Sequence, residues 1–153
     1  YEIAQSNLSS FPPFNYDGGT VTAVGSDYKG VSSTATISTP YTVEVEATQS
    51  AATYIYNNSS AKNYCTAKGT GWRLPTEIEL FAMWTKCKGT NTNAADDEAA
   101  STSLGAKFFG GWYWSSSVYD GNSSVRCLLN FNNGYFDNSY TGTNRYVRCV
   151  RDN

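Results

Sequence analysis

Histidine is missing from this 153-residue chain altogether. That removes the side chain most used for proton transfer near neutral pH and for holding zinc, so histidine-based catalysis is excluded. Charge is also sparse. Asp, Glu, Lys and Arg make up 16% of residues, and 11 basic against 13 acidic side chains leave a net charge of −2. A nucleic-acid backbone calls for clustered Lys and Arg, which this balance does not supply. No apolar run approaches the ~18 residues needed to cross a bilayer, so direct membrane insertion is not expected. No signal peptide is recognisable, and a chain beginning at Tyr1 fits a mature product. None of the four cysteines forms a CxxC pair.

What the chain does hold is aromatic. It carries 4 Trp, 12 Tyr and 7 Phe within an apolar content of 40%. That is enough for a real core, and the length fits one domain with a short extension. Cys65, Cys87, Cys127 and Cys149 are even in number and widely spaced. That pattern suits two structural disulfides in an oxidising compartment, with three connectivities open. A secreted or surface location is therefore expected.

Residues 1–40 read as extended and turn-rich, a β-rich extension or the remnant of a preceding domain. Phe11-Pro12-Pro13-Phe14 is non-helical, Asp17-Gly18-Gly19 is a turn signal, and short strands are expected at Thr20–Val24 and Thr34–Ile37. The main domain is placed at 41–153. Tyr41–Glu46 alternates as a strand with one face buried. Ser59 or Ser60 caps a helix through Ala61, Tyr64, Cys65 and Lys68 that ends at Gly69. Thr76 and Glu79 have capping-box spacing and open a second helix running to about Cys87. Ile78, Leu80, Phe81 and Trp84 form its apolar stripe. Asp96-Asp97-Glu98 is acidic but lacks the spaced oxygen ligands of an EF-hand loop, so it reads as a solvated loop or short capped helix. No metal or cofactor is expected. Val125, Cys127, Leu129 and Phe131 alternate as the inward face of a strand, Asn132-Asn133-Gly134 is a turn, and Tyr146–Arg151 is the final strand. The class is α+β, two helices packed on small twisted antiparallel sheets.

Several motifs in order carry a resemblance. Ala61-x-x-Tyr64-Cys65, Gly71-Trp72-Arg73-Leu74-Pro75-Thr76-x-x-Glu79-Leu80, Tyr113-Trp114-Ser115-Ser116-Ser117, the segment 125–134 and Tyr146–Arg151 resemble DUF1566-type C-type-lectin-like domains. These belong with the formylglycine-generating-enzyme-like folds and occur in bacterial adhesins, lipoproteins and pilus-associated proteins. The likeness covers residues 51–151. It implies a disulfide-stabilised C-type-lectin-like fold, with Cys65 paired to Cys149 and Cys87 to Cys127. It makes Trp72, Trp114 and Phe131 core, and gives Arg73 and Arg148 internal pairing. The calcium-site motifs of sugar-binding lectins are absent, and all four cysteines fit scaffold roles, so neither calcium-dependent sugar binding nor an oxidase is implied.

The tail also resembles variable proteins diversified by retroelements, in which reverse transcription scrambles adenines in a C-terminal cassette. Between Tyr113 and Asn144, 20 of 32 residues are Asn, Tyr, Ser, Asp or Thr, the bias such scrambling leaves. Tyr offers a large contact surface at low entropy cost, and Asn, Ser and Asp offer adaptable hydrogen bonds. The expected function is thus non-catalytic ligand binding by region 112–144. The partner would be a protein or glycan on another cell, or a phage particle's receptor. The contact residues expected are Tyr113, Tyr119, Asp120, Asn122, Asn132, Asn133, Tyr135, Asp137, Asn138 and Tyr140. The alternative is a structural pilus or envelope subunit. A hydrolase needs acid–base groups converging in a cleft, whereas Glu44, Glu46, Glu77 and Glu79 read as strand-surface or cap residues.

Overall fold

The computed structural model describes residues 2–3, 20–26, 36–88, 108–119 and 121–152. The elements are β1 (Glu2–Ile3), β2 (Thr20–Ser26), β3 (Thr36–Val45), α1 (Ser60–Thr66), β4 (Trp72–Arg73), α2 (Glu77–Lys88), β5 (Trp112–Tyr119), β6 (Asn122–Asn130), β7 (Phe136–Tyr140) and β8 (Val150–Asp152). They form two four-stranded antiparallel sheets, ordered β1-β7-β6-β5 and β2-β3-β8-β4. The α+β class is as expected. β3 runs through residue 41, and β2 pairs with it. The Phe11–Phe14, Asp17–Gly19 and Asp96–Glu98 motifs lie outside the described residues. No helix among the described residues is long and apolar enough to cross a membrane.

Helix α2 begins where its sequence says it should. Thr76 N–H donates to Glu79 Oε1 at 2.8 Å, and Glu79 N–H donates to Thr76 Oγ1 at 3.3 Å, a reciprocal capping box. Beyond the cap the helix is not a stripe. Ile78 to Trp84 and Cys87 are all buried. A helix buried all round needs cover on every side, and α2 packs against β2 of one sheet and β5 and β6 of the other. Fully burying side chains such as Ile78, Leu80 and Trp84 contributes about 1.5–3 kcal/mol each.

The β5–β6–β7 sheet divides two cores. In register, Tyr113 pairs with Leu129 and Leu129 with Phe136, and these face the α2 core together with Phe108 and Phe131. The adjacent pair, Trp114 and Leu128, faces the opposite way into a second core with Ala61 and Cys65 of α1, Leu74, Val147 and Cys149. Successive strand residues alternate faces, so covering both faces buries consecutive residues.

A disulfide joins Cys65 of α1 to Cys149, just before β8, with Cα atoms 5.5 Å apart. The second pairing expected is corrected: Cys87 and Cys127 remain buried thiols. Cys87 lies in the last turn of α2, whereas Cys127 lies within β6 opposite Asn138 of β7, so the two thiols have different neighbours. Cys127 O accepts from Ser115 Oγ, and the neighbouring Ser117 Oγ accepts from Glu77 N–H at the first turn. Cys87 acts on the charges of Tyr113 and Arg148. Two smaller corrections follow from the same packing. Trp72 is only half-buried beside the second core, and the last strand shortens to Val150–Asp152 because Tyr146 bridges to Tyr113 on β5 instead.

Candidate ligand-binding surface

The residues expected to make contact do not form one patch. Tyr113 is wholly buried and is corrected to a core residue. Its hydroxyl donates to Phe109 O at 2.9 Å, and burial pushes its pKa well above the usual tyrosine range. The surrounding Trp-Tyr-Trp run lies on a strand covered on both faces, so none of its rings is a free loop aromatic. Tyr119 and Asn122 face each other across the β5–β6 turn, while Asp120 lies outside the described residues. Asn132, Asn133 and Tyr135 sit at the β6–β7 turn, the other end of β6. Eight strand steps put the two tips about 26 Å apart. Between them, Asp137 and Asn138 point to opposite faces of β7, paired with Leu128 and Cys127 respectively.

The β6–β7 tip is locked by its own side chains. Asn130 Oδ1 accepts Asn132 N–H at 2.8 Å and Asn133 Oδ1 accepts Tyr135 N–H at 3.0 Å. Gly134 has φ +76°, and a Cβ there would sit 2.6 Å from the Trp84 ring. Asn133 therefore shapes the turn, leaving Asn132 and the 42%-exposed Tyr135 as its outward groups.

The other tip is part of a larger surface that the sequence reading missed. Three loops converge there: Asn57–Ser59, Asn122–Ser124 and Tyr140–Asn144. Thr141 ties them. Its carbonyl accepts Tyr56 N–H at 2.9 Å and Asn57 N–H at 3.0 Å, its N–H donates to Ser124 O at 3.3 Å, and its hydroxyl meets Asn57 Oδ1 at 2.5 Å. Below them Arg126 stacks 4.6 Å over the Tyr56 ring and donates to Ser123 O at 2.6 Å. Tyr56 packs edge-on to Trp114, whose indole N–H donates to Tyr54 O at 2.7 Å. Tyr140, at the end of β7, alternates with Ser139 onto the opposite face of the sheet from the Arg126–Tyr56 stack and stands 73% exposed. Asn57, Asn58, Asn122, Ser123, Thr143 and Asn144 of the three loops are exposed as well, and none of the described residues exposed on these loops is charged. Asn58 and Ser59 hold left-handed φ of 57° and 58°, which Asn tolerates better than most residues. Nothing local in the sequence links Asn57 and Asn58 to a strand tip some sixty residues onward.

Of the carboxylates read as strand-surface or cap residues, Glu79 caps α2 as expected, and the surface reading of Glu46 is corrected: Glu46 is buried, and Glu77 and Glu79 are buried completely. They serve the frame. Arg73 grips Glu79 through two bonds of 2.8 and 2.9 Å and reaches Asp152 at 2.7 Å. That hydrogen bond holds the Asp152 carboxyl below its ordinary range. Glu46 accepts from Cys149 N–H at 2.7 Å, Tyr64 OH at 3.0 Å and Lys68 Nζ at 2.8 Å. Burial and Glu46 raise the Tyr64 pKa. Lys68 is also raised, because the bonds to Glu46 and Tyr64 outweigh its partial burial. Arg148 is fully buried, donates to Glu46 O at 2.9 Å and lies 4.1 Å over the Phe108 ring; burial lowers its pKa. Among the described residues, no three or more acidic or cysteine side chains are grouped to hold a metal ion.

Residues 22–151 match the family model of the Lcl C-terminal domain, a lectin-like, adhesin-type and non-catalytic module. No curated protein matches the chain.

Proposed function

The chain belongs to the Lcl C-terminal domain family, and from that premise we propose that it is a surface-displayed recognition domain whose binding face is the three-loop end around Tyr140. The observation that carries this reading is the 73%-exposed Tyr140 at an end of the domain where three segments tied together through Thr141 expose only uncharged Asn, Ser, Thr and Gly besides. Loops held by such a frame are where binding residues concentrate. The large ring supplies area and the amides and hydroxyls supply hydrogen bonds. Tyr119, Asn122 and Tyr140 of the sequence-derived set belong to this face, and Asn57, Asn58, Thr143 and Asn144 join it. The ligand is a protein or glycan of another cell or a receptor met by a phage particle, and the domain works outside the bacterial cell.

The DUF1566-type motifs and the Asn, Tyr and Ser bias of 113–144 support a finer reading, in which a retroelement diversifies this region. Sequencing the surrounding locus tests it. A reverse-transcriptase gene with a near-copy of the segment coding for 112–150, differing mainly at adenines, is expected; absence of both overturns diversification and leaves a fixed-specificity adhesin.

The binding face is tested by probing glycan and protein arrays with the purified domain, then repeating the strongest binding with Tyr140→Ala and Asn122→Ala. A central Tyr contact is worth roughly 2 kcal/mol or more, about thirty-fold in affinity. Tyr140→Ala should keep the wild-type melting temperature, and Asn122→Ala, which loses its cap on Ser124 N–H, should stay folded with a slightly lower one. Tyr135→Ala, at the opposite tip, should bind normally. Loss of binding in Tyr135→Ala with Tyr140→Ala unaffected would move the face to the β6–β7 tip.

A further inference from the structure

We infer that the cleft between the end of β3, the C-terminal end of α1 and β4 is a second ligand site, one that takes a neutral hexopyranose unit. The cleft encloses about 430 Å³ and is walled by Glu44, Glu46, Ala47, Thr48, Lys68 and Trp72. That size lies within the range of small-ligand pockets, as does a lining of one aromatic wall with a few placed polar groups. It is separate from the Tyr140 face: Ser60 begins α1 beside the three loops and Lys68 follows its far end, about 12 Å along the axis.

The charges of the cleft are matched within the protein. Lys68 Nζ lies 2.8 Å from Glu46 Oε2, and Arg151 pairs with Glu44 at 2.5 Å. A charged ligand would have to break one of these pairs or enter with no counter-charge, so the lining favours a neutral one. The groups left for a ligand are hydrogen-bonding and aromatic. Both Arg151 contacts fall on Glu44 Oε2, leaving Oε1 outside the ion pair. The Thr48 side chain is exposed, and neither its hydroxyl nor the Trp72 indole N–H has a hydrogen-bond partner among the described residues. Arg151 covers one side of the Trp72 ring from 5.1 Å, Gly69 lies beside its Cδ1 edge without a side chain, and the ring as a whole is half-buried in the cleft wall. A carboxylate acceptor, a hydroxyl, an indole donor and an aromatic edge match a ligand that is uncharged, rich in hydroxyls and carries C–H surface. A pyranose ring has that combination. A lone sugar in an open cleft should bind with a dissociation constant of about 1–10 mM.

The test follows the Trp72 indole N–H resonance of ¹⁵N-labelled protein, assigned by its loss in Trp72→Phe. Glucose, galactose, mannose and N-acetylglucosamine are titrated singly, beside choline as a cation and inorganic phosphate as an anion. At least one sugar should shift this resonance saturably. Ala47→Arg, a change at an exposed wall position, should weaken that binding at least ten-fold while the unliganded spectrum stays folded. Tyr140→Ala should leave it unchanged, which keeps this site independent of the three-loop reading. No saturable shift with any of the four sugars overturns the proposal. So does saturation by choline or phosphate instead, or sugar binding that Ala47→Arg does not weaken.

Discussion

Replacing both Cys65 and Cys149 with alanine removes the covalent tie between α1 and the start of the last strand. The bridge closes 84 residues. In the chain-entropy account the crosslink removes about 15 cal/mol/K from the unfolded ensemble for a loop of that length, or about 4.5 kcal/mol at 25 °C. Both sulfurs are buried in the second core, so trimming them also leaves a small void there. The loosened segment includes Cys149 N–H, which donates to buried Glu46, so the native state loses order on the same side. The double variant should therefore unfold with a free energy about 3–5 kcal/mol below wild type. For a domain of this size that lowers the melting midpoint by roughly 10–15 °C. Urea titrations of both proteins, followed by tryptophan fluorescence, measure it, and wild type treated with reductant should fall with the variant. A loss under about 1 kcal/mol with an unchanged urea slope would refute the reasoning, because it would mean that the unfolded chain is not constrained by this bridge.

Gly134→Ala combines a left-handed backbone with a Cβ set against the Trp84 ring, so chemical denaturation should show a loss of about 2–4 kcal/mol; a change below 0.5 kcal/mol would mean the turn is free to move. Arg73→Ala leaves buried Glu79 without its two-pronged partner and should cost about 2–4 kcal/mol, the exposed third of the arginine having discounted the figure. Adding Glu79→Gln to that variant should recover part of the loss, and a double variant no more stable than the single would show that the charge is not what matters. Tyr64 and Lys68 both titrate above their ordinary values in the folded state, so their contribution is complete below about pH 10 and is lost as pH rises through the folded values. Melting temperatures between pH 8 and pH 11 should fall only at the alkaline end, and Tyr64→Phe should flatten that fall.

Much of the frame was legible because local chemistry and final position agree. Thr76 and Glu79 cap α2 as their spacing says, and Val43 and Val45 bury the face that alternation assigned to them. The misreadings share one physical cause: burial from elements distant in sequence. Tyr113 and Tyr140 are the same residue type in the same polar tail, but one is sealed between Phe108, Phe131 and Tyr146 while the other lies beyond any cover. Glu46 resembles the next polar position of an alternating strand, and only the arrival of Cys149, Tyr64 and Lys68 makes its burial tolerable. Cys87 and Cys127 fitted an even count of widely spaced cysteines, yet both remain buried thiols, one on α2 and one on β6.

The two ends of β6 differ in what holds them, and that difference bears on which end is suited to recognition. At the Asn132–Tyr135 end the turn depends on side-chain identity: two asparagine oxygens cap backbone N–H groups, and only glycine fits against Trp84. Substitution there costs stability. At the three-loop end most of the ties are made by backbone atoms of Thr141, Tyr56, Asn57 and Ser124, while the aromatic support lies underneath in Tyr56, Trp114 and Arg126. Asn122 Oδ1 accepts Ser124 N–H at 3.0 Å and so helps to hold this end too, but the side chains of Ser123, Tyr140, Thr143 and Asn144 make none of these ties, so changing them alters what the surface offers a partner without removing what positions it. A recognition surface that must take new sequences without unfolding needs that separation, and the Tyr140 end has more of it than the other tip.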